Sequence, residues 1–440
     1  MNVKVLLSKA RAREIEKRIF INTRTCQSKK IPQVYNREKN LPLILKTICA
    51  GHHEPAEVPI PFYIIGSRAG ILGLLENSKY YFAGQQSQRK ALESKEIFFE
   101  KIYELEDIVD CKKFFKKAET LYNKLKEKIP SEEARMVLPQ AVKSNIIENM
   151  SLREIAALKR EVDLLEVPLE TKKIINKVWE QTRDYLPEII ESFEEYNSKY
   201  PLILKRKIEV KEHKCFLLDG KPRSSILTMD DEKELFKNYC LMNNYEINET
   251  NLEKIVNSSR EKIPEFFKVG RLSFIFKEMP FFTYNQLIRH RSFHLIRTKN
   301  KEIAKNYHFS TPKSFNTLDI SNFDLIEEFF EFMQEETRNI IEEILNSKRF
   351  EKIKNCLTSI FPQGTIIPEI YGTTTFDNYV HVSRVRTCNN AQKSIREFFN
   401  LLNKEIKSKN TYLAKLSAPT CLSLKKCFEG EYACKNRPIM

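Results

Sequence analysis

Phe274-Ile275-Phe276-Lys277-Glu278-Met279-Pro280-Phe281-Phe282-Thr283-Tyr284-Asn285-Gln286-Leu287-Ile288-Arg289-His290-Arg291 reads as a strand that passes through a proline into a short apolar helix and ends in an imidazole between two guanidiniums. Two fixed cations around a titratable ring form an anion site rather than a core. Guanidinium forks match phosphate and carbonyl geometry, and histidine titrates near neutral pH, so the triplet suits a nucleotide or an electron-rich ring. The competing reading is a solvated basic turn. Against it, the triplet follows the aromatic run Phe281–Tyr284 and not a lysine run.

Working outward, the same strand-to-helix pattern occurs earlier. Phe62-Tyr63-Ile64-Ile65-Gly66-Ser67-Arg68-Ala69 reads as a buried strand entering a helix, with Ser67 as its N-cap. Ahead of it, Val3–Leu7 reads as a strand leading into a charged helix toward Cys26, and Leu43-Ile44-Leu45 lies on a further helix. Gly51-His52-His53-Glu54-Pro55-Ala56-Glu57 then breaks into a loop. The adjacent histidines are not expected to hold a metal, because neighbouring side chains diverge and no His-x-x-x-His spacing is present. A polar loop Gln85-Gln86-Ser87-Gln88-Arg89 precedes a charged helix expected over about 92–128. Ala134-Arg135-Met136-Val137-Leu138-Pro139 closes one helix, with Asn149 and Arg160 placed on the next. Residues 165–200, around Trp179, read as helical. A connector with Pro201, Gly220 and Pro222 leads to the second copy of the pattern. There Ser321 is expected to cap a helix whose core stripe is Phe329, Met333, Ile340 and Ile344, and His381, Arg386, Ala391-Gln392 and Ile395-Arg396 follow.

Composition sets the outer limits. A chain of 440 residues with 41% hydrophobic and 11% aromatic content is globular, with room for two to three domains. Its net charge of +15 favours anionic partners, but the excess is spread along the chain and no arginine-rich tail stands out, which makes nucleic acid an unexpected partner. No signal-type or membrane-spanning apolar segment is evident, and the ten cysteines contain no Cys-x-x-Cys pair, as expected of a cytoplasmic protein with reduced thiols.

Together these motifs resemble the flavin-dependent thymidylate synthases, twice over. Arg289-His290-Arg291 resembles the start of that family's Arg-His-Arg signature. Gln85–Arg89 is similar to its Gln-Gln-Ser-x-Arg loop, with Lys90 in place of the family's tyrosine; Ala134–Pro139 resembles its Ala-Arg-x-x-Leu-Pro, and Ala391-Gln392 with Ile395-Arg396 its Ala-Gln-x-Glu-Ile-Arg. The departures are specific. Val58 stands where the family has a flavin-contacting histidine, Glu76-Asn77-Ser78 or Asn77-Ser78-Lys79 where the first copy should carry Arg-His-Arg, and Ser151 where Asn-x-Arg has its arginine. Lys299 and Lys301 replace a serine and an arginine downstream of the signature, Val382 a phenylalanine and Ser394 a glutamate. The cysteine tail, Cys421, Cys427 and Cys434, resembles that of some members and lacks a clear fourth ligand for zinc.

The resemblance implies an α+β fold of two tandem repeats, each a small antiparallel sheet with long helices. The expected layout is a first repeat over 1–200, a connector over 201–232 and a second repeat over 233–440. It implies reductive methylation of dUMP to dTMP with FAD, NADPH and methylenetetrahydrofolate. Gln286, Arg289, His290, Arg291, His381, Gln392 and Asn149 are implied cofactor contacts. Gln86, Ser87, Gln88, Arg89, Arg135, Arg160 and Arg386 are implied substrate contacts, with Arg160 or Arg386 stabilising charge on the uracil carbonyl. One copy keeps the phosphate grip and the other the flavin grip. The expectation is therefore a composite site shared by the repeats, in a homodimer that rebuilds a pseudo-tetramer. The alternatives are a decayed paralogue acting as a nucleotide-binding, flavin-binding or assembly protein, and a basic nucleic-acid-binding module whose affinity falls with salt.

Overall fold

A computed structural model describes residues 1–25, 34–78, 81–85, 97–202, 221–258, 263–424, 427 and 433–434. Strands β1 (Asn2–Val5), β2 (Pro59–Ser67), β3 (Tyr81–Gln85) and β4 (Lys143–Ser151) form an antiparallel sheet in the order β1-β2-β4-β3. Alternation turns Ile60, Phe62 and Ile64 of β2, and Ser144, Ile146, Glu148 and Met150 of β4, into the core. Around this sheet lie α1 (Lys9–Thr25), α2 (Arg37–Cys49), α3 (Arg68–Asn77), α4 (Cys111–Lys126), α5 (Leu152–Glu161), α6 (Leu169–Arg183) and α7 (Pro187–Lys199).

The second sheet repeats the topology. Its strands β5 (Arg223–Met229), β6 (Arg271–Pro280), β7 (His294–Arg297) and β8 (Ile366–Thr375) run in the order β5-β6-β8-β7. Its helices are α8 (Glu232–Asn243), α9 (Glu249–Ser258), α10 (Phe281–Leu287), α11 (Asn300–Lys305), α12 (Phe323–Phe330), α13 (Thr337–Asn346), α14 (Phe376–Arg386), α15 (Lys393–Lys409) and α16 (Thr411–Ser417). Rings fill the space beneath the sheet: Phe276 meets Phe398 at 5.5 Å, and Phe293 stacks on Tyr379 at 6.4 Å.

Each strand-to-helix junction is held by the first turn of a later helix. In the first repeat, Ser67 Oγ accepts from the Gly70 N–H at 2.9 Å and caps α3. Glu170, on α6, accepts the Ser67 N–H at 2.9 Å and also the Ser67 hydroxyl. Gly66 and Gly70 make room for it, since a Cβ at either would come within 2.8 Å of the Glu170 carboxylate. In the second repeat the junction is a hydroxyl pair, Thr283 Oγ1 donating to Ser394 Oγ at 2.8 Å. Burial raises the Glu170 carboxyl above its ordinary value near 4.5, with the Ser67 bonds opposing. A group that binds its proton more tightly in the folded chain stabilises most below the unfolded value, and that contribution is lost as pH rises through the folded one. Glu170→Gln is therefore expected to gain in melting temperature relative to the natural protein between pH 4 and pH 8, by thermal denaturation at both. An identical difference at both pH values would reject this.

The compact units do not follow the repeats. One unit gathers Met1–Lys214 with Thr311–Gln363, and the other Cys215–Ser310 with Gly364–Met440. Within the first unit, Phe114 of α4 stacks on Phe332 at 5.0 Å, and Lys124 pairs with Glu328 at 2.6 Å. Further along, Pro139 and Pro362 face each other in an antiparallel bridge. The Gln140 N–H donates to Phe361 O and the Gln363 N–H to Leu138 O, both at 2.9 Å.

Five local expectations are corrected. The helix expected over about 92–128 begins at Cys111, because Asp110 accepts the Lys113 N–H at 3.0 Å and caps it there; the described residues before it carry a bridge at Phe99 and a tight turn at Tyr103–Leu105. Asn149 lies on β4 and not on a helix. Arg223–Met229, read within the connector, is β5; its two serines hide the alternation. Ser321 caps nothing, since the N-cap position of α12 is Asn322 and makes no side-chain cap. The stripe beyond it keeps Phe329, Met333 and Ile344 and differs at one position. A π turn at Glu331–Glu336, where Thr337 Oγ1 donates to Phe332 O at 2.9 Å, places Ile341 (1% exposed) in the core instead of Ile340.

Candidate active site

The second unit brings Arg289, His290, His381 and Arg386 into one neighbourhood. At the end of α10 the chain turns through Arg289-His290-Arg291, the His290 N–H donating to Leu287 O and the Phe293 N–H to His290 O. His381 and Arg386 lie on α14, which packs on α15, and Gln392 is the N-cap residue of α15. Arg386 Nε donates to His290 Nε2 at 2.6 Å. A guanidinium has no acceptor, so the ring nitrogen it meets must be unprotonated and the ring neutral, with its proton on Nδ1. Burial, then the charges of Arg386, His381 and Arg289, hold the ring's pKa down to about 3. Arg291 and His381 are exposed, and Gln286 and Arg289 are half-buried. Gln392 is 2% exposed, yet neither its amide nitrogen nor its oxygen has a hydrogen-bond partner among the described residues. A buried amide left so costs on the order of 1–3 kcal/mol. Lys299, the N-cap residue of α11, is exposed and Lys301 half-buried.

The first unit differs. Gln86, Ser87, Gln88 and Arg89 lie outside the described residues. Arg135 is buried in a single turn, Arg135–Val137, near enough to Tyr122 to oppose the upward shift that burial gives its hydroxyl. Asn149 is half-buried and points away from the core face of its strand. Val58, where a flavin-contacting histidine was sought, is a core residue. Arg160 Nη2 donates to Tyr200 O at 2.6 Å, and its guanidinium lies 5.5 Å from the centroid of the Tyr196 ring, against which His53 packs edge-on at 4.6 Å. Tyr200 is the C-cap residue of α7, so Arg160 satisfies a helix-end carbonyl.

Comparing the repeats by position explains this. Ser151 closes β4 and Thr375 closes β8, and Arg160 and Arg384 each stand nine residues beyond. Arg384, which is buried where Arg160 is half-buried, donates from Nε to Leu416 O at 2.8 Å, near the end of α16. The two arginines therefore share one structural task. The position matching Arg386 in the first repeat is Val162, which is 3% exposed. The resemblance offers Arg160 and Arg386 for one role, but counting from the strand's end pairs Arg160 with Arg384. Glu170, which sequence reasoning passed over, was signalled only by side-chain-free positions at Gly66 and Gly70, about a hundred residues earlier.

Cys421, Cys427 and Cys434 are free thiols, and Cys421 is held above its ordinary value by burial and by Cys388, Cys427 and Cys434 nearby. Among the described residues no group of three or more His, Cys, Asp or Glu is set to hold a metal, and no helix is long and apolar enough to cross a membrane.

No curated protein matches the chain. Among solved structures, a UMP/dUMP methylase, PolB, from Streptomyces cacaoi, bound with 5-Br dUMP, is similar over 44% of this chain and 94% of its own, at 14% identity and a TM-score of 0.36. That likeness is too slight to carry an argument. Residues 6–188 and 226–410 each match the thymidylate synthase complementing protein family. With two matched regions, two sheets of one topology and the junctions repeated, the chain belongs to that family, the flavin-dependent thymidylate synthases, as a tandem two-repeat member.

Proposed function

We propose that this protein is a flavin-dependent thymidylate synthase that methylates dUMP reductively to dTMP, with FAD as cofactor and NADPH and methylenetetrahydrofolate as co-substrates. The observation that carries this reading is the contact of Arg386 with His290, with His381 and Arg289 near the ring, in a chain of this family. The donor set fits a flavin. Gln392 holds a buried amide whose donor and acceptor are both unmet, the pattern a pyrimidine-type ring edge presents in complement. Arg291 and Arg289 supply cations for its phosphates.

When bound, reduced FAD supplies the hydride. The chain's own residues then have separate tasks. Arg386 stabilises the negative charge that develops on the uracil carbonyl, as a preorganised cation does in a site poor in water. Neutral His290 adds no competing charge, Gln392 orients the ring edge, and Arg291 with Gln286 anchors the cofactor. Ser87 and Arg89 of the first repeat are the proposed grip on the dUMP phosphate.

Two outcomes test the assignment. Arg291→Ala is expected to lose bound FAD, and flavin titration of the natural protein to saturate near one per chain, as one shared site requires; saturation near two rejects sharing. Formation of dTMP in vitro, and rescue of a thymidine-requiring bacterial strain, test turnover. A flavin- or nucleotide-binding protein without turnover is the second reading, favoured by buried Val58 and by the capping role of Arg160, and it predicts bound flavin with no dTMP.

A further inference from the structure

We propose that His290 is a positioning residue for Arg386: it serves the reaction by holding that guanidinium through Nε2, and not only as a member of a basic flavin-binding triplet. The inference rests on the functional reading above. Its geometry is independent of it. The contact is 2.6 Å and uses only the Nε donor of Arg386, so the histidine restrains the side chain without occupying the Nη fork, which is the part suited to a carbonyl. An arginine at the end of a helix has a long side chain with several rotamers to lose, and a fixed bond at the inner nitrogen of its guanidinium removes part of that freedom before substrate arrives. Arg289, His381 and Arg386 are the charged groups that act on the ring, all repelling a proton, so it remains an acceptor throughout the neutral range.

The repeats supply the second observation. His290 lies ten residues beyond the end of β6, and the matching residue beyond β2 is Asn77, whose amide donates to Gly73 O within its own helix. Val162 matches Arg386. Histidine and arginine are thus both present in one repeat and both replaced in the other, whereas the capping arginine is kept in both as Arg160 and Arg384. The pair behaves as one unit.

A double-mutant cycle read by dUMP affinity of the flavin-loaded protein tests this. His290→Ala is expected to weaken dUMP binding by about ten- to a hundredfold, the loss of one hydrogen bond to a charged group. In an Arg386→Ala background it should weaken binding no further. His290→Gln, which restores an acceptor, should recover most of the loss. Nitrogen NMR of the imidazole provides a readout that a merely structural role would not move. The ring should stay neutral at pH 5 in the natural protein and take up its proton at a higher pH in Arg386→Met, with burial, His381 and Arg289 still opposing it. Additive losses, or a ring that titrates ordinarily in the natural protein, overturn the positioning role and leave the proposed function standing. Absence of any dUMP affinity in the natural protein overturns both.

Discussion

Arg386→Ala is expected to lower dTMP formation by about a hundred- to a thousandfold while the protein keeps its FAD, the scale on which removing one preorganised charge-stabilising donor acts. Arg160→Ala is the matched control. Its guanidinium bonds the Tyr200 carbonyl and packs on Tyr196, so its loss should lower the melting temperature by about 2–4 °C and leave turnover within a few-fold. The contrast separates two arginines that the chain's motifs present as equivalents. Single-turnover kinetics with reduced flavin, beside thermal melts, would read both effects. Were Arg160→Ala to abolish turnover and Arg386→Ala to leave it intact, the assignment of a single catalytic arginine would have to be reversed.

The second large effect concerns folding. Because Thr311–Gln363 belongs to the first compact unit, a chain divided between residues 202 and 221 is not divided between folding units. The fragment 1–202 loses Phe332 from its stack on Phe114 and Glu328 from its pair with Lys124, and the fragment 221–440 loses the other half of each contact. Each large apolar side chain uncovered by the division costs about 1.5–3 kcal/mol, a sizeable share of the whole stability of an ordinary domain, about 5–15 kcal/mol. Each fragment alone is expected to lack a cooperative thermal transition by circular dichroism, and the two expressed together are expected to associate and recover it. A cooperative transition in 1–202 by itself would contradict the shared packing.

What the sequence disclosed follows from how local each signal is. The junction at Phe62–Ser67 is legible because strand alternation, a capping serine and a small-residue helix start occupy consecutive positions. The basic triplet at Arg289–Arg291 is legible for the same reason. The role of Arg160 was not, since it depends on where β4 ends, and no motif marks that residue. Ile341 took the place of Ile340 because a π turn adds a residue that no ideal period anticipates. Asp110, a cap hidden among other acids, decided where α4 begins. Glu170 and the helices of Thr311–Gln363 needed partners remote in sequence, which a linear pattern cannot supply.

The reciprocal bonds between Leu138–Gln140 and Phe361–Gln363 have a further consequence. They relate corresponding turns of the two copies as a twofold axis relates subunits of a dimer, but here one polypeptide supplies both sides. In a symmetric oligomer each substitution appears at every equivalent place, so no copy can specialise without the others changing too. Fusion lifts that constraint. One copy is free to keep Arg386 while the other installs Val162, which makes asymmetry heritable along a single gene product.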